Sequence, residues 1–402
     1  MSIEVVFVDG IRTAFGTLGK TLRNILGEEL AGMALRGLVE KSKVIERGGV
    51  IDSVFMGSAI GPNTAVNPAR WAVLAAGLPE STAASYVEMQ CGSAIDSINH
   101  AAWRILAGQA EIMIAGGFES ASQAPCHFPM TTEPFRHVPP MPIAYSSAPS
   151  RDAATMNMGF TAEALQKMYG IAREAQDEFA FNSQQKTKKA QDAGFFAQDI
   201  LSVMVPQGKK PPIEFKVDEF PRPETTLEGL GKLPPAFMKD GTVTAGNSSG
   251  RNDGAAFVLM MTREKAEQLG YRPMAKWLAG GDYGVDPKIM GLAPAFAVPQ
   301  ALKRAGIKMN QLDVIECNEA FAVQNLAVAI ELEKQTGEEV DFEKWNPNGG
   351  AISLGHPNGA SGARICIFTM RELVKKGGKY GCFSSCCGGG LGVATVIENL
   401  QV

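Results

Sequence analysis

The chain has 402 residues, of which 45% are hydrophobic and 20% charged, with a formal net charge of −4. That length exceeds one ordinary hydrophobic core, so two domains, or two core layers plus an excursion, are expected in a globular protein with room for a buried site. There is no basic excess for nucleic acid, no apolar run of the roughly 20 residues that cross a bilayer and no secretory signal at the start, so a cytoplasmic protein without nucleic-acid or membrane partners is expected.

Taken in chain order, Met1 to Gly10 reads as a short apolar strand. Leu30 to Val39 has helical apolar spacing and leads into a strand, Ile51 to Met56. Glu88-Met89-Gln90-Cys91-Gly92-Ser93-Ala94 then precedes a helix with apolar residues at 95, 98, 102, 105 and 106, which is followed by the strand Ile112 to Ala115. Cys91 therefore sits at a helix N-terminus. There the unsatisfied N–H groups and the dipole favour thiolate over thiol; the alternative is a small inert core residue.

Pro125 to Pro149 carries seven prolines and no sustained periodicity, which describes an irregular, functional loop. Helical patterns follow over Thr161 to Tyr169 and Arg173 to Ala193, and residues 121–250 read as an inserted loop domain. Residues 251–268 return to strand character and complete the first half, giving divisions of 1–120 plus 251–272, 121–250, and 273–402.

In the last part, the helix Ala297 to Ala305 leads into the strand Leu312 to Glu316. Asn318 next takes an N-cap position before a helix running to Leu332, either as a plain cap or as an amide that holds a water or an oxyanion. Gly355-His356-Pro357 lies among glycines, where an imidazole suits a base for a thiol, or is a surface-loop histidine. A helix from Gly362 and the strand Tyr380 to Phe383 precede Ser385-Cys386-Cys387-Gly388-Gly389-Gly390, a turn whose N–H groups can cradle an oxyanion or that merely closes a hairpin. Helix, strand and glycine-rich turn thus occur twice, about 260 residues apart, which implies duplicated halves and two helix-covered sheets packed together. The seven cysteines, an odd number, fit no disulfide framework, and no spacing suits a metal site.

Cys-x-Ser at Cys91, then Asn-Glu-Ala-Phe at Asn318, Gly-His-Pro at His356 and Cys-x-Gly-Gly-Gly at Cys386, in that order, resemble the thiolase family. The resemblance covers nearly the whole chain, including Gly116-Gly117-Phe118-Glu119-Ser120 and Gly241 to Gly254. It implies an α/β fold of duplicated halves in a five-layered αβαβα arrangement with a loop domain contacting coenzyme A. It also implies a homodimer or homotetramer that joins two acetyl-CoA into acetoacetyl-CoA or splits short 3-ketoacyl-CoA. Coenzyme A thioesters are then the substrates, with no permanently bound cofactor and no metal. By position, Cys91 receives the acyl group, His356 takes the thiol proton and Cys386 abstracts the α-proton of the second acetyl-CoA. His356 with a water on Asn318 forms one oxyanion hole, and the N–H groups of Cys91 and Gly388 form another. Ser249 and Ala245 fall near the pantetheine arm, Met158, Leu233, Phe237, Met290 and Phe321 along its tunnel, and Arg222 near the nucleotide.

The chain departs from the family pattern at Ala94, where Gly is common, at Asn157, where many short-chain members have His, and over residues 126–154. These departures leave chain length open, so a degradative 3-ketoacyl-CoA thiolase of longer specificity is the nearest alternative. A ketosynthase would use Cys with two His, whereas Asn318 and Cys386 stand at those positions. A silent acyl-CoA or lipid binder would not need Cys91 and Cys386 together.

Overall fold

In the computed structural model, residues 3–61, 63–127, 141–142 and 157–402 are described; most of the proline-rich stretch, and of the divergent segment 126–154, lies outside them. The first strand, β1 (Val5–Thr13), is buried along almost its whole length, which is why its sequence does not alternate. Next come α1 (Gly27–Ser42), β2 (Ser53–Gly57), α2 (Pro68–Ala75), β3 (Ala83–Val87), α3 (Ser93–Leu106) and β4 (Ile112–Ser120). The inserted segment contributes α4 (Met158–Tyr169) and the long α5 (Arg173–Asp192). The chain then returns through β5 (Asn252–Thr262) and β6 (Ala275–Gly284) to α6 (Pro294–Ala305), β7 (Leu312–Cys317), α7 (Ala322–Thr336), α8 (Asn358–Lys376), β8 (Tyr380–Cys387) and β9 (Leu391–Asn399).

The main strands run in the order β7-β8-β9-β6-β1-β5-β4-β2-β3, with two short strands added to make an eleven-stranded sheet. On one side, β2 and β4 pair in parallel, followed by antiparallel β5 and β1. The other side repeats the scheme, β7 parallel to β8, then antiparallel β9 and β6. The duplication seen in the sequence is therefore a duplication of topology, with β2 equivalent to β7 and β4 to β8. One expectation is corrected. The two half-sheets are not separate but continuous, joined where β1 meets β6 through the pairs Val6↔Lys276 and Phe7↔Ala275. A ladder that short has no periodicity of its own to announce it.

Helices fill three layers around the two half-sheets. Helices α1 and α2 cover the outside of the first half, α6 covers the outside of the second with α7 packed on it, and α3 and α8 lie between, each touching strands of both halves. The buried clusters follow this division. One holds Val6, Leu30, Val54 and Phe257 on the first outer face, one holds Ile95, Met113, Ile365 and Phe383 in the middle, and one holds Leu165, Val298, Val328 and Cys382 on the second outer face. The inserted helices α4 and α5 lean on α7, so the excursion from the first half covers the second.

Candidate active site

Cys91 lies in one 3₁₀ turn, Gln90–Gly92, that runs directly into α3. Gln90 has φ 50, a left-handed conformation rare for a side chain this large, and the strain is held by its neighbours. Glu88 Oε1 accepts from the Gln90 backbone at 2.8 Å and from its side chain at 2.6 Å. Ser93 Oγ accepts from Met89 N at 2.9 Å and donates to Gln90 O at 2.7 Å, which gives the Cys-x-Ser pattern a mechanical reason. Gly92 is needed because a Cβ there would stand 2.5 Å from Cys387 Sγ.

The start of α8, which is the duplicate of α3, meets this turn. Asn358, its first residue, donates from Nδ2 to Cys91 Sγ at 3.2 Å. The N-termini of the two central helices thus converge on one sulfur. Convergence requires close backbone approach, since a Cβ on Gly117 would fall 2.2 Å from Gly359 O and one on Gly359 2.2 Å from Phe118 O. Ala94 is accommodated because Gly362 faces it. Despite both helix ends, burial dominates and pushes the Cys91 thiol up to about 11, against the sequence expectation of a favoured thiolate. The Asn358 hydrogen bond and the backbone N–H of Gly388 hold it down, and the charge of Glu119 raises it further.

His356 is buried rather than a surface-loop residue. Its backbone N donates to Asn252 Oδ1 at 2.9 Å. Ser361 Oγ donates to Pro357 O at 3.0 Å, so it accepts at 2.6 Å from Nδ1–H of His356. That assigns the imidazole proton to Nδ1 and leaves Nε2 as the acceptor. Asn318 Nδ2 lies 3.3 Å from Nε2. Burial, aided by the positive charge of Arg364, lowers the His356 pKa to about 3, so the ring is neutral.

Asn318 is not a helix cap, because α7 begins at Ala322 with Phe321 as its cap. It stands in the turn after β7, its backbone N donating to Ser384 O at 2.9 Å and its carbonyl accepting from Asn325 Nδ2 at 3.3 Å. Its Oδ1 is buried and has no protein partner among the described residues, so it can accept a hydrogen bond.

Cys386 and Cys387 follow one another on β8 and therefore face opposite layers. Cys386 packs in the outer cluster with Met290 and Phe321, whereas Cys387 packs in the central cluster and against Gly92. Burial and the neighbouring cysteines raise both thiols well above the ordinary value.

A cavity of about 420 Å³ opens onto the nucleophile, lined by Cys91, His356, Gly388, Met158, Phe237, Ser249, Met290 and Phe321 among the sequence candidates. Asn157 lines it too and caps α4 by accepting from Gly159 N at 3.0 Å. Cys386 and Asn318 are not lining residues. Arg222, Leu233 and Ala245 line a separate outer cavity of about 220 Å³ with Phe220, Gln184 and Thr226.

Three residues that the sequence reading left without roles belong to the site. Asn358 is one residue past Gly-His-Pro and Ser361 five past His356, spacings that a helix start brings back to the same place. Glu119 is the third. Its carboxyl accepts from Ser58 Oγ at 2.7 Å, Ala59 N at 2.8 Å and Gly359 N at 3.0 Å, which ties the start of α8 to the loop after β2. Burial raises it to about 7 against those donors.

A family model described as the thiolase N-terminal domain matches residues 5–264, and one described as the thiolase C-terminal domain matches residues 271–399. An acetyl-CoA acetyltransferase of Chromobacterium violaceum is 42% identical over 398 residues, spanning 98% of this chain and 100% of that protein. Among solved structures, the Bacillus anthracis acetyl-CoA acetyltransferase superposes with a TM-score of 0.92 at 38% identity, covering 99% of each chain. Human mitochondrial 3-ketoacyl-CoA thiolase in complex with CoA gives a TM-score of 0.89 at 38% identity, covering 99% of this chain and 98% of that one.

Proposed function

The chain belongs to the thiolase family, and from that premise we propose that it is an acetyl-CoA C-acetyltransferase, condensing two acetyl-CoA to acetoacetyl-CoA and running the reverse thiolysis. The observation that carries the reading is the cavity that brings together a neutral imidazole and a thiol held by an amide donor and a glycine-turn N–H. Cys91 attacks the thioester carbonyl while its proton passes to Nε2 of His356 and on to the departing coenzyme A sulfur. A base whose resting pKa is near 3 does not strip the thiol beforehand, so proton transfer accompanies the attack. The N–H groups of Cys91 and Gly388 receive the oxyanion at the acylated carbon. A water on Asn318, joined by His356 when Nε2 carries the proton, receives the oxygen of the second thioester.

Cys386 exchanges the α-proton of the second acetyl group. Its buried thiol rests protonated, which is the form that thiolysis needs at the departing acetyl carbon. The pantetheine arm lies along Met158, Phe237, Ser249, Met290 and Phe321, and passes Leu233 and Ala245 to a nucleotide end at Phe220 and Arg222. The reading includes a cytoplasmic homodimer or homotetramer serving acyl-chain metabolism, with no metal, so activity should survive exhaustive chelation.

The longer-chain alternative keeps a concrete basis in the fit to the human 3-ketoacyl-CoA thiolase. Coenzyme A-dependent cleavage of 3-ketoacyl-CoAs of increasing length separates the two. Acetoacetyl-CoA should give the highest kcat/KM, and a maximum at six carbons or beyond would replace the short-chain reading.

A further inference from the structure

Asn358 makes a contact that no step above assigns to it. It is the first residue of α8, and its Nδ2–H donates to the sulfur of Cys91 at 3.2 Å. Its backbone cannot drift, because the adjacent Gly359 N is held by Glu119 at 3.0 Å and the Ala360 and Ser361 N–H groups bond back to Pro357 O at 2.8 and 2.9 Å. The side chain faces the cavity rather than solvent alone, since Asn358 lines it beside Cys91, His356 and Gly388.

The sulfur needs such a donor. A neutral His356 offers no positive charge with which to pair a thiolate, and the titratable groups around the sulfur are Glu119, Cys386 and Cys387, each of which opposes a negative charge there. We propose that Asn358 is a further catalytic residue, whose amide N–H stabilises negative charge on the Cys91 sulfur. That charge develops twice in the cycle. It appears when the sulfur attacks the first thioester, and again when the C–S bond to the acyl group breaks and the electron pair returns to sulfur as the new carbon–carbon bond forms. The amide transfers no proton in either step, so it does not quench the nucleophile as an acid would.

The inference rests on Cys91 as the acyl-carrying residue, and its test is chosen to separate the two. Alkylation of Cys91 by iodoacetamide, followed on its peptide by mass spectrometry from pH 6 to 10.5, reads the thiolate without requiring turnover; acetylation by acetyl-CoA is measured alongside. For Asn358→Leu the Cys91 pKa should rise about one unit, as expected for losing a hydrogen bond to a charged group, which below that pKa displaces the alkylation profile about half a unit to the alkaline. The rate at pH 8 should fall about threefold, because roughly tenfold less thiolate is partly offset by its greater nucleophilicity. Acetylation should fall by at least the same factor. Asn358→Asp, close in shape but with a carboxylate against the sulfur, should lose more of both rates, and it decides the matter if the leucine variant does not fold. An unmoved profile in these variants overturns the proposal, whether or not turnover declines. A shifted profile in a protein whose Cys91 is never acetylated overturns the acyl-transfer reading instead.

Discussion

Side-chain alternation at the end of β8 sends two chemically identical thiols into two different layers. Cys386 is packed with Met290 and Phe321, which line the substrate cavity, while Cys387 fills the space against Gly92 in the central layer. Cys387 is thus closer to the nucleophile's backbone than its sequence position suggested, yet on the side away from the cavity-lining residues. If Cys386 moves the α-proton, Cys386→Ser should still be acetylated on Cys91 but lose methyl proton exchange and condensation by about 10²–10⁴, the usual worth of a general acid–base. Cys387→Ser places a hydroxyl in an apolar layer and should cost about 1–3 kcal/mol of stability while both half-reactions continue. The measurement pairs acetyl labelling with deuterium exchange into the acetyl methyl. Exchange lost in Cys387→Ser and kept in Cys386→Ser would reverse the assignment.

At the scale of elements, the site depends on how closely α8 can approach β4 and the loop after β2. Gly359→Ala tests this, because its Cβ would fall 2.2 Å from Phe118 O and 2.5 Å from Ser58 Cα, both backbone atoms that cannot rotate aside. The variant should lose about 1–3 kcal/mol by overpacking. Moving the helix start by even 1 Å carries Asn358 off the sulfur and shifts His356 two residues before it, so acetylation should fall about 10²-fold. Gly231→Ala, where a Cβ meets nothing within 4 Å, should change neither melting temperature nor acetylation. An active, stable Gly359→Ala would show that the approach of these elements is incidental.

Much of this scale was legible in the chain. Helical spacing placed α1, α3, α5 and α6 within a few residues, and short apolar runs placed β2, β4, β7 and β8, because each of these elements buries a face whose period is local. What failed had no local signal. Of the two roles the sequence offers Asn318, only the N-cap position fails: a polar residue stands before an apolar periodic stretch, but three residues intervene before α7. The Asn358 contact with Cys91 spans 267 positions and depends on two helix starts meeting, which no window of sequence contains.

Across the whole molecule, carboxyls buried in the strands and turns of both halves set how stability varies with pH. Glu119 is raised to about 7 and Glu316 to about 8, in both cases chiefly by burial, and burial raises Glu319 as well. An unfolded chain releases these protons near 4.5, so between about pH 4.5 and 8 the native state binds more protons than the unfolded one and stability must fall as pH rises. His356 acts in the opposite sense. Its native pKa near 3 lies below the ordinary 6.5, so its contribution grows as pH rises from about 3 to 6.5 and is constant above. The carboxyls outnumber the imidazole in the overlap, and above pH 6.5 they act alone among these four groups. The melting temperature should therefore be higher near pH 5.5 than at pH 8, by on the order of 5 °C for a chain of this size. Glu316→Gln carries the decisive comparison, because Glu316 lies in the interior near Arg364 and Glu319 and takes no part in the chemistry proposed for Cys91. Removing its ionisation should flatten the decline between pH 6 and 8 while leaving the rise on the acid side unchanged. A Gln variant whose melting temperature falls as steeply as that of the unaltered protein across that interval would mean that Glu316 is already ionised in the folded chain.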